Sequence, residues 1–326
     1  MSENENPPGP PAAFAAEFAE CWRQLPNKAL FFSLLAAWLL LFQFLGNATF
    51  GYIDTSSLFK WMYVAYTNND WEEGHGLLMP VVVLALFWWK RKQLLALKID
   101  SWWPGLLLLA VALILHMLGY LIQQPRLSIV GLFLGIYALM ALAWGPAWMR
   151  ASFFPVFLFA FCIPFASLGA PVTTVTFYLR LLVAKIVAAI GTTVMGMDIV
   201  REGTGLYNSA HTYGYDVAAA CSGLRSLVAI VALSTIYGFV SFQSNWKRLA
   251  MIAAAFPLAV IGNTARMMCI LIAAEFDGQA AGNFVHENTF FSLLPYVPAF
   301  LGLMLLTHWL RDRPAPSPPS VASPTL

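Results

Sequence analysis

Eight long apolar runs, separated by short polar clusters, organise this chain: Ala29–Leu45, Leu77–Trp89, Pro104–Ile122, Leu127–Trp144, Ser152–Ala170, Ser222–Phe242, Leu249–Ala274 and Thr289–Leu310. Most approach the roughly 20 residues that an α-helix needs to cross a bilayer. The pattern predicts an all-α fold, a polytopic bundle of about eight spans. Leu77–Trp89 is short; it extends backwards through Gly74 or is partly re-entrant. Val172–Met197 also reads as a helix, with Arg180 and Lys185 among apolar residues. It is expected on the outward side, along the interface or against the bundle; an added crossing is the alternative, and it would move Cys221 to the other face. Arg201–Tyr215, rich in Gly and Tyr, reads as a short extended segment or hairpin that leads to Cys221. Asn263 and Thr264 beside Arg266 predict a polar break inside the seventh run, and His286 is expected in the loop beyond it.

Composition supports lipid as the main solvent. The 326 residues are 60% hydrophobic and 10% charged, with mean hydropathy +0.69, where soluble domains carry about 25% charged residues. A dispersed net charge of +2 gives no nucleic-acid footprint. Residues 1–27 are polar and Pro-rich and lack the layout of a cleaved signal. They are expected to be disordered, as is the Pro/Ser-rich tail 311–326, leaving 28–310 as the membrane domain.

Basic residues orient the spans. Lys90, Arg91, Lys92 and Lys98 follow the second run, Arg150 the fourth, Lys247 and Arg248 the sixth, and Arg311 and Arg313 the eighth. Basic connections stay cytoplasmic, so both termini are expected inside, in a plasma (inner) membrane. The acidic connections, with Asp70, Glu72, Glu73, Asp216, Glu275 and Glu287, then face outward. Cys221, Arg266 and His286 all fall at that outer, extracytoplasmic edge.

These three side chains form the candidate chemistry. A cysteine attacks as its thiolate, and Cys221 opens a helix in Ala-Cys-Ser-Gly-Leu-Arg-Ser (220–226). Unpaired N–H groups there favour an anion, and those of Ser222 and Gly223 can hold an oxyanion. Arg266, in Gly-Asn-Thr-Ala-Arg (262–266), is a guanidinium within a span. Such a group costs at least about 2.5–3.5 kcal/mol and usually has a role. His286, in Phe-Val-His-Glu (284–287), is the candidate proton carrier, with His211 as rival. Arg225 and Asn263 are candidate substrate contacts. His75 lies in the acidic cluster with Asp70, Glu72 and Glu73, which reads as a solvated loop or a binding patch. Cys21, Cys162, Cys221 and Cys269 are far apart, without metal-type spacing. Neither a disulfide framework, a metal nor a cofactor is expected.

The motifs Ala-Cys-Ser-Gly-Leu-Arg-Ser, Gly-Asn-Thr-Ala-Arg and Val-His-Glu (285–287) resemble those of the exosortase/archaeosortase family. Gly74-His75-Gly76 with Pro80, and Arg201-Glu202-Gly203, extend the resemblance over most of residues 30–310. The resemblance implies a membrane cysteine protease/transpeptidase. Its partners would be exported proteins with a C-terminal sorting signal of the PEP-CTERM type: a short motif, a hydrophobic helix and a basic cluster. It implies Cys221 as nucleophile, Arg266 as electrostatic stabiliser and His286 as proton donor or acceptor, with His75 as a further matched position. Many relatives carry glutamate two residues before the cysteine, where this chain has Ala219. A transporter or a non-catalytic envelope-assembly scaffold is the competing class, separable by the reactivity of Cys221.

Overall fold

The computed structural model describes residues 10–47, 53–68, 73–164, 170–217 and 223–311. The chain folds as two compact units, Met1–Thr174 and Val175–Leu326. The predicted all-α membrane bundle is present, with one small sheet added.

In the first unit, α1 (Pro10–Gln24) meets α2 (Lys28–Phe44) at a 96° bend, where Asn27 takes φ 50°. A helix thus occupies most of a segment expected to be disordered. Phe14, Phe18 and Trp22 recur every fourth residue, so one face of α1 gathers its aromatics, and Trp88 stacks on Phe18 and packs at a tilt against Phe14. The remaining helices are α3 (Leu58–Thr67), α4 (Met79–Leu95), α5 (Gly105–Leu121), α6 (Pro125–Trp144) and α7 (Pro146–Phe157). A 3-10 turn, Gly74–Leu77, precedes α4, and another, Leu158–Cys162, follows α7. Helix α6 is central. Its buried Gly131, Gly135, Ala138 and Ala141 lack bulk, so α5 and the Trp38 indole approach its backbone closely.

The second unit is entered along α8 (Ala170–Thr193). Three antiparallel strands follow in the order β1 (Ile199–Glu202), β2 (Gly205–Asn208) and β3 (Gly214–Asp216). Val200 pairs with Tyr207, and Leu206 with Tyr215. The expected hairpin is therefore a three-stranded meander. Next come α9 (Gly223–Ser241), α10 (Asn245–Glu287), the single turn α11 (Thr289–Ser292) and α12 (Tyr296–Leu310). Leu227, Ile230, Met251, Leu258 and Leu303 join α9, α10 and α12 in one core. A second core buries Leu206, Tyr213, Tyr215 and Val217 of the strand region against Met267, Ile270 and Leu271 of α10.

Each of the eight apolar runs contains helix, but fewer pass as spans. Four helices are long and apolar enough to cross a membrane, or five if the bent α1–α2 pair is one span, among the described residues. Helices α2, α4 and α5 have 17 residues each, a rise of about 25 Å, short of the roughly 30 Å hydrocarbon core. Thr174–Thr193 within α8 does qualify as a span, which favours the crossing over the interfacial helix expected there.

Candidate active site

The site region is built by a reversal within α10. This helix has 43 residues and would measure about 64 Å if straight, twice a bilayer core. It breaks at Asp277 (φ −139°, ψ 24°) and Gly278 (φ 75°, ψ −174°). The backbone of Gly278 lies where a side chain is strained, so glycine is the residue that permits the turn. The expected break at Asn263–Thr264 is absent, because α10 runs helically through both residues. Polar side chains alone do not open a helix: Asn263 instead accepts a hydrogen bond from Ser226 Oγ at 3.1 Å, tying α9 to α10.

After the break, residues 279–287 fold back along the preceding arm. In a straight helix His286 would lie about 30 Å beyond Arg266. Here Arg266 Nη2 donates to the His286 carbonyl at 3.1 Å and reaches Ser292 Oγ at 3.4 Å. His286 is thus helical rather than in a loop, and half-buried. The two arms touch closely: a Cβ on Gly282 would sit 3.0 Å from Ala274 Cβ and 2.0 Å from the Tyr215 hydroxyl.

The sheet clamps this helical hairpin. Tyr213 Oη donates to Glu275 Oε2 at 2.5 Å, before the break. Beyond it, the Gly214 N–H donates to Gln279 Oε1 at 3.0 Å, and Tyr215 Oη to the Gln279 carbonyl at 2.9 Å. Gln279 Nε2 closes the set on Asn283 Oδ1 at 3.1 Å. Burial, and then the Glu275 carboxylate, hold the Tyr213 hydroxyl protonated well above the usual phenol range. Burial raises Tyr215 in the same sense. Sequence reasoning did not single out Tyr213, Tyr215 or Gln279. The Asp277-Gly278 dipeptide, a common turn signal, was the readable clue.

Cys221 and Ser222 lie outside the described residues, as does the side chain of Arg225; Gly223 is the first residue of α9. Both flanks of that gap are anchored. Upstream, Val217 is buried in the core it shares with Met267 and Ile270, and its N–H donates to the Thr204 carbonyl at 3.1 Å. Downstream, Ser226 is held by Asn263, three residues before Arg266 on α10. Two buried polar atoms of this segment, Thr264 Oγ1 and Arg266 Nε, have no hydrogen-bond partner.

The other candidates separate. His75 is buried in the first unit with Nε2 3.6 Å from Glu73 Oε2, so this part of the acidic cluster is an interior pair rather than a solvated loop. His211 occupies the β2–β3 turn at φ 50°, exposed, its ring 5.5 Å from that of Tyr207. His116 Nδ1 pairs with Ser128 Oγ at 3.1 Å in the first unit.

Residues 67–310 match the family model described as transmembrane exosortase. The chain belongs to the transmembrane exosortase family. The match takes in α4 to α12, hence the broken helix, the sheet and the segment carrying Cys221. No curated protein matches, and no solved structure does. For this exosortase, the local geometry of the second unit supplies the positional argument about the site.

Proposed function

We propose that this exosortase is a membrane cysteine transpeptidase whose nucleophile is Cys221. The observation that carries the reading is the reversal of α10, which brings the Arg266 guanidinium onto the backbone of His286. Chain connectivity adds support. Cys221 is four residues from Val217 and five from Ser226, a reach of at most about 14 and 18 Å. Both anchors belong to the cores and hydrogen bonds of the α10 segment that carries Asn263 and Arg266.

The chemistry follows from these groups. The Cys221 thiolate attacks the scissile carbonyl of an exported protein near its C-terminal sorting signal. Arg266 and the N–H groups of Ser222 and Gly223 stabilise the tetrahedral oxyanion. As the C–N bond breaks, His286 gives its proton to the departing amine, leaving a thioester on Cys221. An acceptor amine or hydroxyl, or water, loses a proton to His286 and resolves the thioester, restoring the thiolate. The substrate is of the PEP-CTERM type, its helix entering from lipid and its basic cluster remaining in the cytoplasm.

The active face is the extracytoplasmic side of the inner membrane. Lys247 and Arg248 follow α9 and hold that end inside. Keeping Arg150 on the same side as that pair makes the stretch from Arg150 to the sheet one net crossing. Replacing Cys221→Ala should leave a co-expressed reporter with such a signal unprocessed in membranes, while the protein accumulates normally. Normal reporter processing by that variant would contradict the reading.

A further inference from the structure

Helix α1 precedes residues 67–310, so membership of the family does not account for it. At 100° per residue, Phe14, Phe18 and Trp22 fall within one arc of about 80°. Glu20 and Arg23 lie about 140–160° from the centre of that arc, and Glu17 lies on its flank. The helix is therefore amphipathic, with an aromatic face and a charged one. Its aromatic face is not a core. Phe14, Phe18 and Trp22 remain 55%, 50% and 43% exposed, even with Trp88 and Phe32 packed beside them.

The direction of α1 is fixed by bonds at both ends. Asn27 Nδ2 donates to the Ala143 carbonyl and Trp144 Nε1 to the Pro26 carbonyl, both at 2.8 Å, so the α1–α2 hinge is tied to the end of α6. Lys28 Nζ closes the corner by donating to the Trp22 carbonyl at 2.8 Å. On the flank, Arg91 Nε donates to Glu17 Oε1 at 3.2 Å, which holds α1 at the basic end of α4. Basic ends of spans stay at the membrane surface. From that level α2 departs as an apolar run, and α1 leaves the same hinge at 96°. A helix perpendicular to a span lies along the surface. The charges of Glu17, Glu20 and Arg23 exclude α1 from hydrocarbon, and half-exposed Phe and Trp side chains suit the headgroup level.

We propose that α1 is an interfacial anchor: its Phe14–Phe18–Trp22 face docks into the lipid leaflet at the basic end of α4, with Glu20 and Arg23 facing water. That leaflet is the cytoplasmic one in the orientation proposed above. The docking itself does not depend on Cys221 as nucleophile. The aromatic face continues into Trp88 of α4 and Phe32 of α2, so one apolar surface passes from the spans onto α1 without a polar gap. That continuity favours lipid as the occupant over a second copy or another protein.

The test uses the full-length chain, its four cysteines replaced by alanine, in vesicles of phosphatidylethanolamine and phosphatidylglycerol. Nitroxides are placed singly through Phe14→Cys, Phe18→Cys, Trp22→Cys and Glu20→Cys, and their access to oxygen and to a water-soluble nickel chelate is measured. The labels at 14, 18 and 22 should favour oxygen and share one depth, about 5–10 Å inside the headgroup boundary. The label at 20 should favour the nickel chelate. A depth that changes by about 12 Å from 14 to 22, the rise of eight helical residues, would make α1 part of a broken span and overturn the proposal. Nickel access at all four positions would place α1 in water, and shielding of 14, 18 and 22 from both reagents would place them under protein; either result overturns it. A second measurement needs no substitution. Wild-type protein is irradiated in vesicles that contain a phosphatidylethanolamine with a diazirine on its acyl chain. Adducts mapped by mass spectrometry should fall on Phe14, Phe18 or Trp22, and labelling of α2 with none on α1 would again contradict the anchor.

Discussion

In the first unit, long polar side chains close onto backbone carbonyls of neighbouring helices. Trp38 Nε1 donates to Leu132 O at 3.0 Å, Asn27 Nδ2 to Ala143 O at 2.8 Å, and Trp144 Nε1 to Pro26 O at 2.8 Å. Tyr66 binds the Cys162 carbonyl, and Tyr137 that of Met149 at 2.8 Å. In the second unit, by contrast, Arg180 Nε, Thr264 Oγ1 and Arg266 Nε are buried with no partner. Ser234 Oγ joins that set in the second unit; in the first, Trp148 Nε1 is an exception, and the buried His75 ring faces Glu73 at 3.6 Å without a hydrogen bond. Buried donors without acceptors cost about 1–3 kcal/mol each. A protein keeps such a cost where a ligand or reacting group completes the set. On the proposed function, the closed set serves the scaffold and the open set the chemistry.

The comparison breaks most readily at Arg266. Arg266→Gln should lower reporter processing by about 10²–10³-fold, the effect of losing one oxyanion donor, with thermal stability nearly unchanged. In the first unit, Trp38→Phe should do the reverse. It leaves a buried carbonyl with one bond fewer, costs about 1–3 kcal/mol in a denaturation assay, and leaves activity per folded molecule intact. A stability loss for Arg266→Gln larger than that for Trp38→Phe would erase the distinction.

Effects at the reversal should be intermediate. In Gly278→Ala the added Cβ meets no neighbour within 4 Å, so the cost is that of the backbone at φ 75°, ψ −174°, a region that only glycine populates readily, about 1–3 kcal/mol. Gly278→Asn should cost as much, since asparagine visits the left-handed helical region near ψ about +47°, not the extended ψ −174° found here. Both should reduce processing by loosening the position of His286, read as lower kcat at unchanged KM. Tyr213→Phe should remove about 1–3 kcal/mol by stranding the Glu275 carboxylate. Its pH dependence has a definite sign. The folded-state pKa of Tyr213 lies above the unfolded value near 10, so its contribution is complete below about pH 10. It is lost as pH rises through the folded value. Wild type and Tyr213→Phe should therefore converge in stability in alkaline buffer.

The smallest effect belongs to the first unit's surface. The hydrogen bond and charge of Arg91 hold the Glu17 carboxyl below the usual carboxylate range. Its contribution exists above about pH 4.5 and fades as pH falls through the lowered value. Glu17→Gln should be near neutral in stability and insensitive to salt, where wild type is weakly salt-dependent.

Much of this organisation could be read in the residues, and the limits have physical causes. The apolar runs mark where helices form, because lipid leaves the backbone no other partner. The number of crossings is less legible: α7 ends after 12 residues and passes into a 3-10 turn, which hydropathy does not register. Asn263 looked like a helix breaker but bonds across to Ser226, a long-range partner that no local pattern announces. Asp277-Gly278 carried a genuine turn signal, yet its result, a return arm bonded to Arg266, depends on tertiary contacts with the sheet. The tyrosines of that sheet showed only as a Gly/Tyr-rich stretch. Arg180 stood out as a cation in an apolar helix, but its unanswered Nε appears only once the chain is folded.

The most direct measurement is the pH dependence of Cys221 alkylation in membranes, with the Cys21, Cys162 and Cys269 thiols replaced by alanine. If Arg266 and His286 act on this sulfur, it should react with an apparent pKa below the free-thiol value near 8.5, and Arg266→Gln should move that value upward. A Cys221 thiol that titrates at or above 8.5 and ignores both Arg266→Gln and His286→Gln would contradict the account.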